Sequence, residues 1–281
     1  MIVFKKVKEL TAFIAAEKKK GSTIGFVPTM GALHNGHISL IINSNEHNQI
    51  TVSSIFVNPT QFNQAKDFEK YPVTLEKDIE MLEKNGCDAL FLPSVIEIYP
   101  AGLTTLPHYQ LGFLETVLEG HYRPGHYQGV CQVVHRLLDI VRPHNLYLGQ
   151  KDYQQCMVIK KLIELLRLKI NVEVCNTLRE SDGLAMSSRN MRLNKQERKQ
   201  AVKIFETLSF IKKEVKPGYI VDLKERATKY LTAQRFNVDY VEIATADALH
   251  ILENWDGQQK IVTVAAAYLN EVRLIDNMPL N

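Results

Sequence analysis

Apolar residues recur along the first two thirds of the chain in two alternating rhythms. Val7, Leu10 and Ile14, with Gly21 behind them, predict an amphipathic helix over residues 5–20. Residues 24–27 form an unbroken apolar run that predicts a short buried strand, stopped by Pro28, with Gly31 permitting a tight bend. Helical spacing then returns at Leu33, Ile38, Ile41 and Ile42. A β-branched run over 50–57 predicts the next strand, and Leu75, Ile79 and Leu82 mark a capped helix over 74–85 closed by Gly86. Further strands are expected at 89–93, 146–148 and 171–175, with a helix from about 130 to 141 and an irregular stretch at 100–112. Strand alternating with helix is the pattern of a parallel α/β sheet.

Beyond residue 190 the rhythm changes. Lys/Glu-rich helices at 195–214 and 221–235, joined by Pro217-Gly218, precede strands at 238–243, 261–267 and about 272–275. Helices followed by strands suggest a separate α+β domain. The expected division is a larger domain over 1–176 and a smaller one over 177–281, able to close as a lid.

Composition narrows the class without choosing a function. With 281 residues, 45% of them hydrophobic and 23% charged, the chain is ordinary for a globular protein with a real core. A net charge of +3 argues for neither nucleic-acid nor membrane partners, and Lys18-Lys19-Lys20 suits a solvated helix end. The start of the chain carries no signal-peptide pattern, and the apolar run at 261–269 is too short to span a bilayer. Cys87, Cys131, Cys156 and Cys175 are widely separated, which argues against a zinc site or a disulfide scaffold and for a reducing cytoplasm.

The chemistry gathers where strands are expected to end. In Pro28-Thr29-Met30-Gly31-Ala32-Leu33-His34-Asn35-Gly36-His37, a glycine turn leads into a helix whose first turn carries two imidazoles on one face. Unclaimed backbone N–H groups and the helix dipole attract anions there, and Gly36 leaves room for a ligand. Gly31 and Gly36 match the glycine spacing of a G-x-x-x-x-G-K-S/T loop, but His37 and Ile38 stand where its Lys and hydroxyl belong, so a P-loop is rejected. A second strand end leads into Asn58-Pro59-Thr60-Gln61-Phe62-Asn63. Asx-turn chemistry accounts for Asn58 alone, while Gln61 has no turn reason to be there. Both loops would open onto one crevice beyond the strand ends.

Three further segments carry polar groups. Residues 120–130 read as a basic, aromatic, glycine-containing loop, a surface loop or a flexible cover for an anionic substrate. In Gly149-Gln150-Lys151-Asp152-Tyr153-Gln154-Gln155, Lys151 suits phosphate, and Asp152 suits ribose hydroxyls or a helix cap equally. In 178–190, Ser187, Ser188 and Arg189 suit a mobile phosphate clamp, although Ser-Ser-Arg-Asn equally suits a loop capping the helix from Asn194.

Taken together these motifs resemble the pantothenate synthetase (pantoate–β-alanine ligase) family of H-x-G-H nucleotidyltransferases. The resemblance covers residues 24 to about 190 and rests on Pro-Thr-Met-Gly-Ala-Leu-His-x-Gly-His, Arg123-Pro-Gly-His-Tyr-x-Gly-Val130, Gly149-x-Lys-Asp-x-Gln-Gln155 and Asp182-Gly-Leu-Ala-Met-Ser-Ser-Arg-Asn190. Three positions depart from the family's usual residues: Tyr127 for Phe, Gln132 for Thr and Leu178 for Val. The resemblance implies a Rossmann-like parallel-sheet domain with a smaller α+β domain. It implies ATP contacts at Pro28, Met30, Gly31, Ala32, Leu33, His34, Asn35, Gly36, His37, Gly149, Gln150, Lys151, Asp152, Leu178, Met186, Ser187, Ser188 and Arg189. Catalytic roles would fall to His34, His37, Lys151 and Arg189. Gln61 and Gln155, with Asn58 nearby, would hold pantoate or β-alanine, and Asp78 would sit near a magnesium ion. A cytoplasmic homodimer is the family expectation.

The implied reaction is ATP-dependent condensation of pantoate with β-alanine through an enzyme-bound adenylate, releasing AMP and pyrophosphate. No G-x-S-x-G elbow or Cys/His pairing recommends a covalent enzyme intermediate. Two readings compete: nucleotidyl transfer onto a phosphorylated acceptor, and a nucleotide-sensing module without turnover.

Overall fold

The computed structural model describes residues 1–63, 65–104 and 106–281, without the side chains of Ala65 and Lys66. It divides into two compact units, residues 1–149 with 155–176, and residues 150–154 with 177–281.

The first unit is an α/β layer built on a six-stranded parallel sheet. Its strands are β1 (Ile2–Phe4), β2 (Ile24–Thr29), β3 (Ile50–Ile55), β4 (Ala89–Phe91), β5 (Asn145–Gly149) and β6 (Asn171–Cys175), in the spatial order β1-β4-β3-β2-β5-β6. Strand order reverses beside β2, so the loops leaving β2, β3 and β5 are those that an open sheet uses for ligands. Apolar side chains from both faces bury against flanking helices, Phe26, Leu146 and Val52 on one side and Val27, Ile55 and Tyr147 on the other. Full burial of each such aliphatic side chain stabilises the fold by roughly 1.5–3 kcal/mol.

Pro28 does not stop β2, which continues to Thr29 with Pro28 opposite Ser54 and Thr29 opposite Ile55 of β3. A proline fits in this central strand because pairing with β5 covers only Gly25 and Phe26. The 120–130 segment also departs from expectation. It is no cover loop: a helical turn at Glu119–Tyr122 is followed by a helix over His126–Val141, and His126, Tyr127, Gln128 and Gly129 are buried. The helix begins four residues earlier than the apolar spacing indicates because Gly125, at φ +78°, supplies the left-handed entry.

The second unit holds a three-stranded antiparallel sheet, β8 (Asn237–Thr245), β10 (Ile261–Leu269) and β11 (Val272–Pro279), in the order β11-β10-β8. The short strands β7 (Gly218–Tyr219) and β9 (Asn254–Trp255) pair separately. Helices Lys195–Ala201, Lys203–Glu214 and Val221–Ala233 supply Ala201, Ile204, Leu208, Ala227 and Leu231 to its core. The single helix expected over 195–214 is interrupted at Val202. Gln150–Gln154, assigned on sequence to the first domain, packs with this unit, for reasons that lie in β11.

Candidate active site

The turn after β2 is held by its own motif and one distant carboxylate. Thr29 Oγ1 donates to the Ser54 carbonyl (2.7 Å) and accepts from the Gly31 amide (3.2 Å). Gly31 at φ +82° and Ala32 at φ +49° reverse the chain, the second at a cost that an L-residue normally avoids. Asp78, 1% exposed, offsets that cost: its two carboxylate oxygens accept from the Ala32 and Leu33 amides, each at 2.8 Å, and Thr74 donates to it at 2.9 Å. The carboxylate expected near a magnesium ion is therefore committed to this turn. Among the described residues no group of three or more His, Cys, Asp or Glu side chains could hold a metal.

The Asn35–His47 helix begins with an N-cap made of imidazoles. His34 is the N-cap in extended conformation, and its Nδ1 accepts from the Gly36 amide (3.1 Å), while His37 Nδ1 accepts from the His34 amide (3.3 Å). This reproduces the reciprocal logic of a capping box with two rings, whose centroids lie 4.0 Å apart. The anion site expected from unclaimed amides is built differently, because the amides of Gly31, Ala32, Leu33, His34 and Gly36 already have internal acceptors. Since both Nδ1 atoms accept, the proton of each neutral ring is assigned to Nε2. An N–H donated into Nδ1 polarises the ring and strengthens the Nε2–H as a donor. Helix-terminal polarity is thus passed to the Nε2 side of each imidazole.

The loop after β3 is fastened to the N-terminus of the His126–Val141 helix. Asn58, 1% exposed, donates to the Gly129 carbonyl (3.1 Å) and to Gln61 Oε1 (3.2 Å), and accepts from the Tyr99 hydroxyl (2.9 Å). Its Oδ1 also accepts from the Thr60 amide and hydroxyl, so Asn58 shapes the loop rather than facing a ligand. Gln61 is half-buried, and its Nε2 donates toward Met30 Sδ at 2.9 Å, which brings the first and second loops together. Gly129 is required here: a Cβ would lie 2.3 Å from the Thr60 carbonyl oxygen. His126 Nδ1 bonds the Gln61 carbonyl (2.8 Å) and its Nε2 meets Arg123 Nη1 (2.9 Å). A guanidinium only donates, so Nε2 is the acceptor and the His126 proton lies on Nδ1, pointing at Gln61. Glu119 lies 3.6 Å from Arg123, and Asn63 donates to the Pro124 carbonyl. Gln155, half-buried on the Tyr153–Leu165 helix, belongs to the same unit.

In the second unit, Lys151 and Asp152 stand on a 3-10 turn at Gln150–Asp152. Asn277 of β11 donates to the carbonyls of Gln150 (2.9 Å) and Lys151 (2.8 Å), Gln150 Nε2 donates back to Asn277 Oδ1 (3.3 Å), and the Tyr153 hydroxyl donates to the Ala246 carbonyl (2.6 Å). These bonds place 150–154 with this unit. Arg179 forms a bidentate pair with Asp276 (2.6 and 3.0 Å), donates to the carbonyls of Gly183 and Asn277, and lies over the Phe205 ring at 4.8 Å. Ser187 caps its own 3-10 turn, Ser188–Arg192, through the Arg189 amide, and Asn194 caps the next helix in a box with Glu197. Capping the Asn194 helix therefore needs neither Ser188 nor Arg189. Leu178 is exposed, and its carbonyl accepts from the Met186 amide.

The family model for pantoate–β-alanine ligase matches residues 2–279. The chain belongs to the pantoate–β-alanine ligase family. It is 44% identical to the pantothenate synthetase of Cytophaga hutchinsonii and 43% identical to that of Acetivibrio thermocellus, in each case over 99% of both chains. It is similar to the crystal structure of the Thermus thermophilus pantothenate synthetase, with a TM-score of 0.91 and 37% identity over 100% of this chain and 99% of that one. A Francisella tularensis pantoate–β-alanine ligase, solved with β-γ ATP and β-alanine, is similar with a TM-score of 0.82 and 38% identity over 100% and 98%. As a member of this ligase family the chain is an enzyme, and its α/β and antiparallel units are those the resemblance implied. No helix among the described residues is long and apolar enough to cross a membrane.

Within this pantoate–β-alanine ligase, Asp78, His126, Asp276 and Asn277 hold the motif residues in place; sequence reasoning gave the first another role, named His126 within its motif without a role, and passed over the last two. A signal existed for the last two. Asp276-Asn277 follows the apolar pair Leu274-Ile275 in the closing strand with two adjacent polar residues, and both are buried.

Proposed function

We propose that this chain condenses pantoate with β-alanine by using ATP, in two steps. A carboxylate is a poor acyl donor at neutral pH because its oxygen leaves badly. Attack of a pantoate carboxylate oxygen on the α-phosphorus breaks the bond to pyrophosphate and yields pantoyl adenylate. The β-alanine amine then attacks the acyl carbon and expels AMP. Neither step requires a protein nucleophile; both require positive donors around a phosphate and an aligned carboxylate.

The observation that carries the reading is the pair of imidazoles whose Nδ1 atoms are fixed by backbone amides, leaving Nε2–H as the donor edge of each ring. His34 and His37 are assigned to the α-phosphate, where charge builds in the transition state. Lys151, Ser188 and Arg189 are assigned to the remaining phosphates, and Gln61 and Gln155 to the hydroxyls of pantoate. The backbone of Met30, Gly149 and Leu178 is assigned to the nucleotide. Magnesium would enter with ATP and would neutralise phosphate charge as it develops. A cytoplasmic homodimer belongs to the same proposal.

The test is release of AMP and pyrophosphate with ATP, magnesium and pantoate, with and without β-alanine. AMP that appears only with β-alanine, in step with pantothenate, is the expected result. Turnover with a phosphorylated acceptor and none with pantoate would overturn it.

A further inference from the structure

The last strand of the second unit carries no motif residue, yet two adjacent side chains on it meet two separate phosphate-site segments. Successive residues on a strand point to opposite sides, so neighbours can hold different parts of the chain. Asn277, 2% exposed, uses its amide on the Gln150–Lys151 turn: two bonds donated to carbonyls and one accepted from Gln150. Asp276, 5% exposed, receives both nitrogens of the Arg179 fork. Arg179 in turn binds the Gly183 carbonyl, and the loop closes on itself through the Arg179–Ala185 bridge. Asn190 donates to the Ala185 carbonyl (3.0 Å), which attaches the Ser188–Arg192 turn to that loop. The two halves are also linked to each other, because Asp276 Oδ1 accepts from the Asn277 amide and Arg179 donates to the Asn277 carbonyl.

We infer that Asp276 and Asn277 are positioning residues for ATP: they lock the Lys151 turn and the Ser187–Arg189 turn into one rigid set of phosphate donors. The inference rests on the reading that Lys151, Ser188 and Arg189 hold the phosphates of ATP. Buried polar groups on a closing strand are costly unless paired, and here the pairing is spent on these two segments rather than on the strand's own sheet. Small displacements of such donors weaken phosphate binding steeply.

The experiment is steady-state kinetics on N277A, N277D, D276N and K151A, with the double variant K151A/N277A and a circular dichroism check of folding. N277A is expected to raise KM for ATP about tenfold while leaving KM for pantoate and β-alanine within about twofold. N277D fills the same volume but turns a carboxylate on two carbonyls, so its loss should exceed that of N277A. D276N keeps part of the Arg179 contact and should lose least. The double variant should lose no more ATP affinity than K151A alone, because Asn277 acts through that turn. If N277D does not fold, N277S replaces it, and its single hydroxyl donor should bring KM for ATP between wild type and N277A. Equal shifts of all three KM values, N277D or N277S behaving no differently from N277A, or additive losses in the double variant would overturn the inference. K151A with an unchanged KM for ATP would instead overturn the reading beneath it.

Discussion

The two regions that the proposed function assigns to phosphate are built by opposite means. The turn at 29–37 is held from within: Thr29, His34 and His37 bind backbone amides two or three residues away, and one carboxylate, Asp78, reaches in from a neighbouring helix. The segments at 150–154 and 178–190 are held from outside, by side chains 97 and 127 residues further along the chain. A self-held turn places its chemistry and its scaffold on the same side chains. An externally held loop separates them, so its donors can be altered without loss of the local fold, and its supports without contact to substrate.

The largest expected effect breaks the first arrangement at its dual-purpose residues. His34→Asn keeps an oxygen to accept from the Gly36 amide, and Asn is a favoured N-cap, but it has no Nε2–H. The melting temperature should change little while kcat falls on the order of 100- to 1,000-fold, as for loss of one donor to a developing oxyanion. A kcat within tenfold of wild type would show that capping is the whole task of His34.

Next comes the one external support of that turn. Asp78→Ala leaves the buried Ala32 and Leu33 amides without acceptors and should lower stability by about 2–4 kcal/mol in urea denaturation. Asp78→Asn keeps one good acceptor and should lose about half as much. Neither should change the magnesium concentration needed for half-maximal rate; a clear shift in that value would return Asp78 to the metal.

A smaller effect is expected where the two loops of the first unit meet the buried helix. Gly129→Ala drives a methyl group into the Thr60 carbonyl and should lower stability by about 1–3 kcal/mol. Because Gln61 is held by the same helix turn through His126, KM for pantoate should rise and KM for ATP should not. His126→Asn, whose amide can replace Nδ1–H, should preserve KM for pantoate better than His126→Ala.

The smallest effect lies at the far end of β5. His144 Nδ1 accepts from the Ile24 amide, and burial, with Lys18 nearby, holds its pKa below the ordinary 6.5. The unfolded chain therefore binds a proton first on acidification. Its contribution to stability is complete above pH 6.5 and is lost as pH falls through the folded value. His144→Asn keeps an acceptor without that titration, so its melting temperature should fall less steeply than wild type's below pH 6.5.

Much of this was legible in the sequence because periodicity and turn residues are local signals. Strands over 24–27, 50–57 and 146–148 were expected from apolar runs that stop, the observed ends at 29, 55 and 149 lie within two residues of those, and the loops beyond them carry the motif residues. The misreadings share one physical cause, a partner far away in sequence. The bond from the Ala32 amide to Asp78, 46 residues apart, cannot be seen from the residues around either one. Asx-turn chemistry accounted for Asn58 within its own loop, but its bond to the Gly129 carbonyl, 71 residues away, lay beyond any local pattern. The 120–130 segment read as a loop from its glycines and proline, although Gly129 is there to let a helix approach another backbone. Pro28 read as a terminator because strand pairing on only one side at that point cannot be seen from composition.

Gln150–Gln154 belongs to the unit whose remainder begins at Thr177, so the chain passes from one unit to the other three times. This sets a rule for recombination between relatives. A chimaera joined at 176/177 inherits the Lys151 turn from one parent and its Asn277 clasp from the other, although a single crossover there looks like a clean domain swap. Such hybrids should work only when both parents match at the Gln150–Lys151 turn and at the Asp276–Asn277 pair. Short exchanges that carry 150–154 together with 177–281 should tolerate more divergent parents than the single junction does.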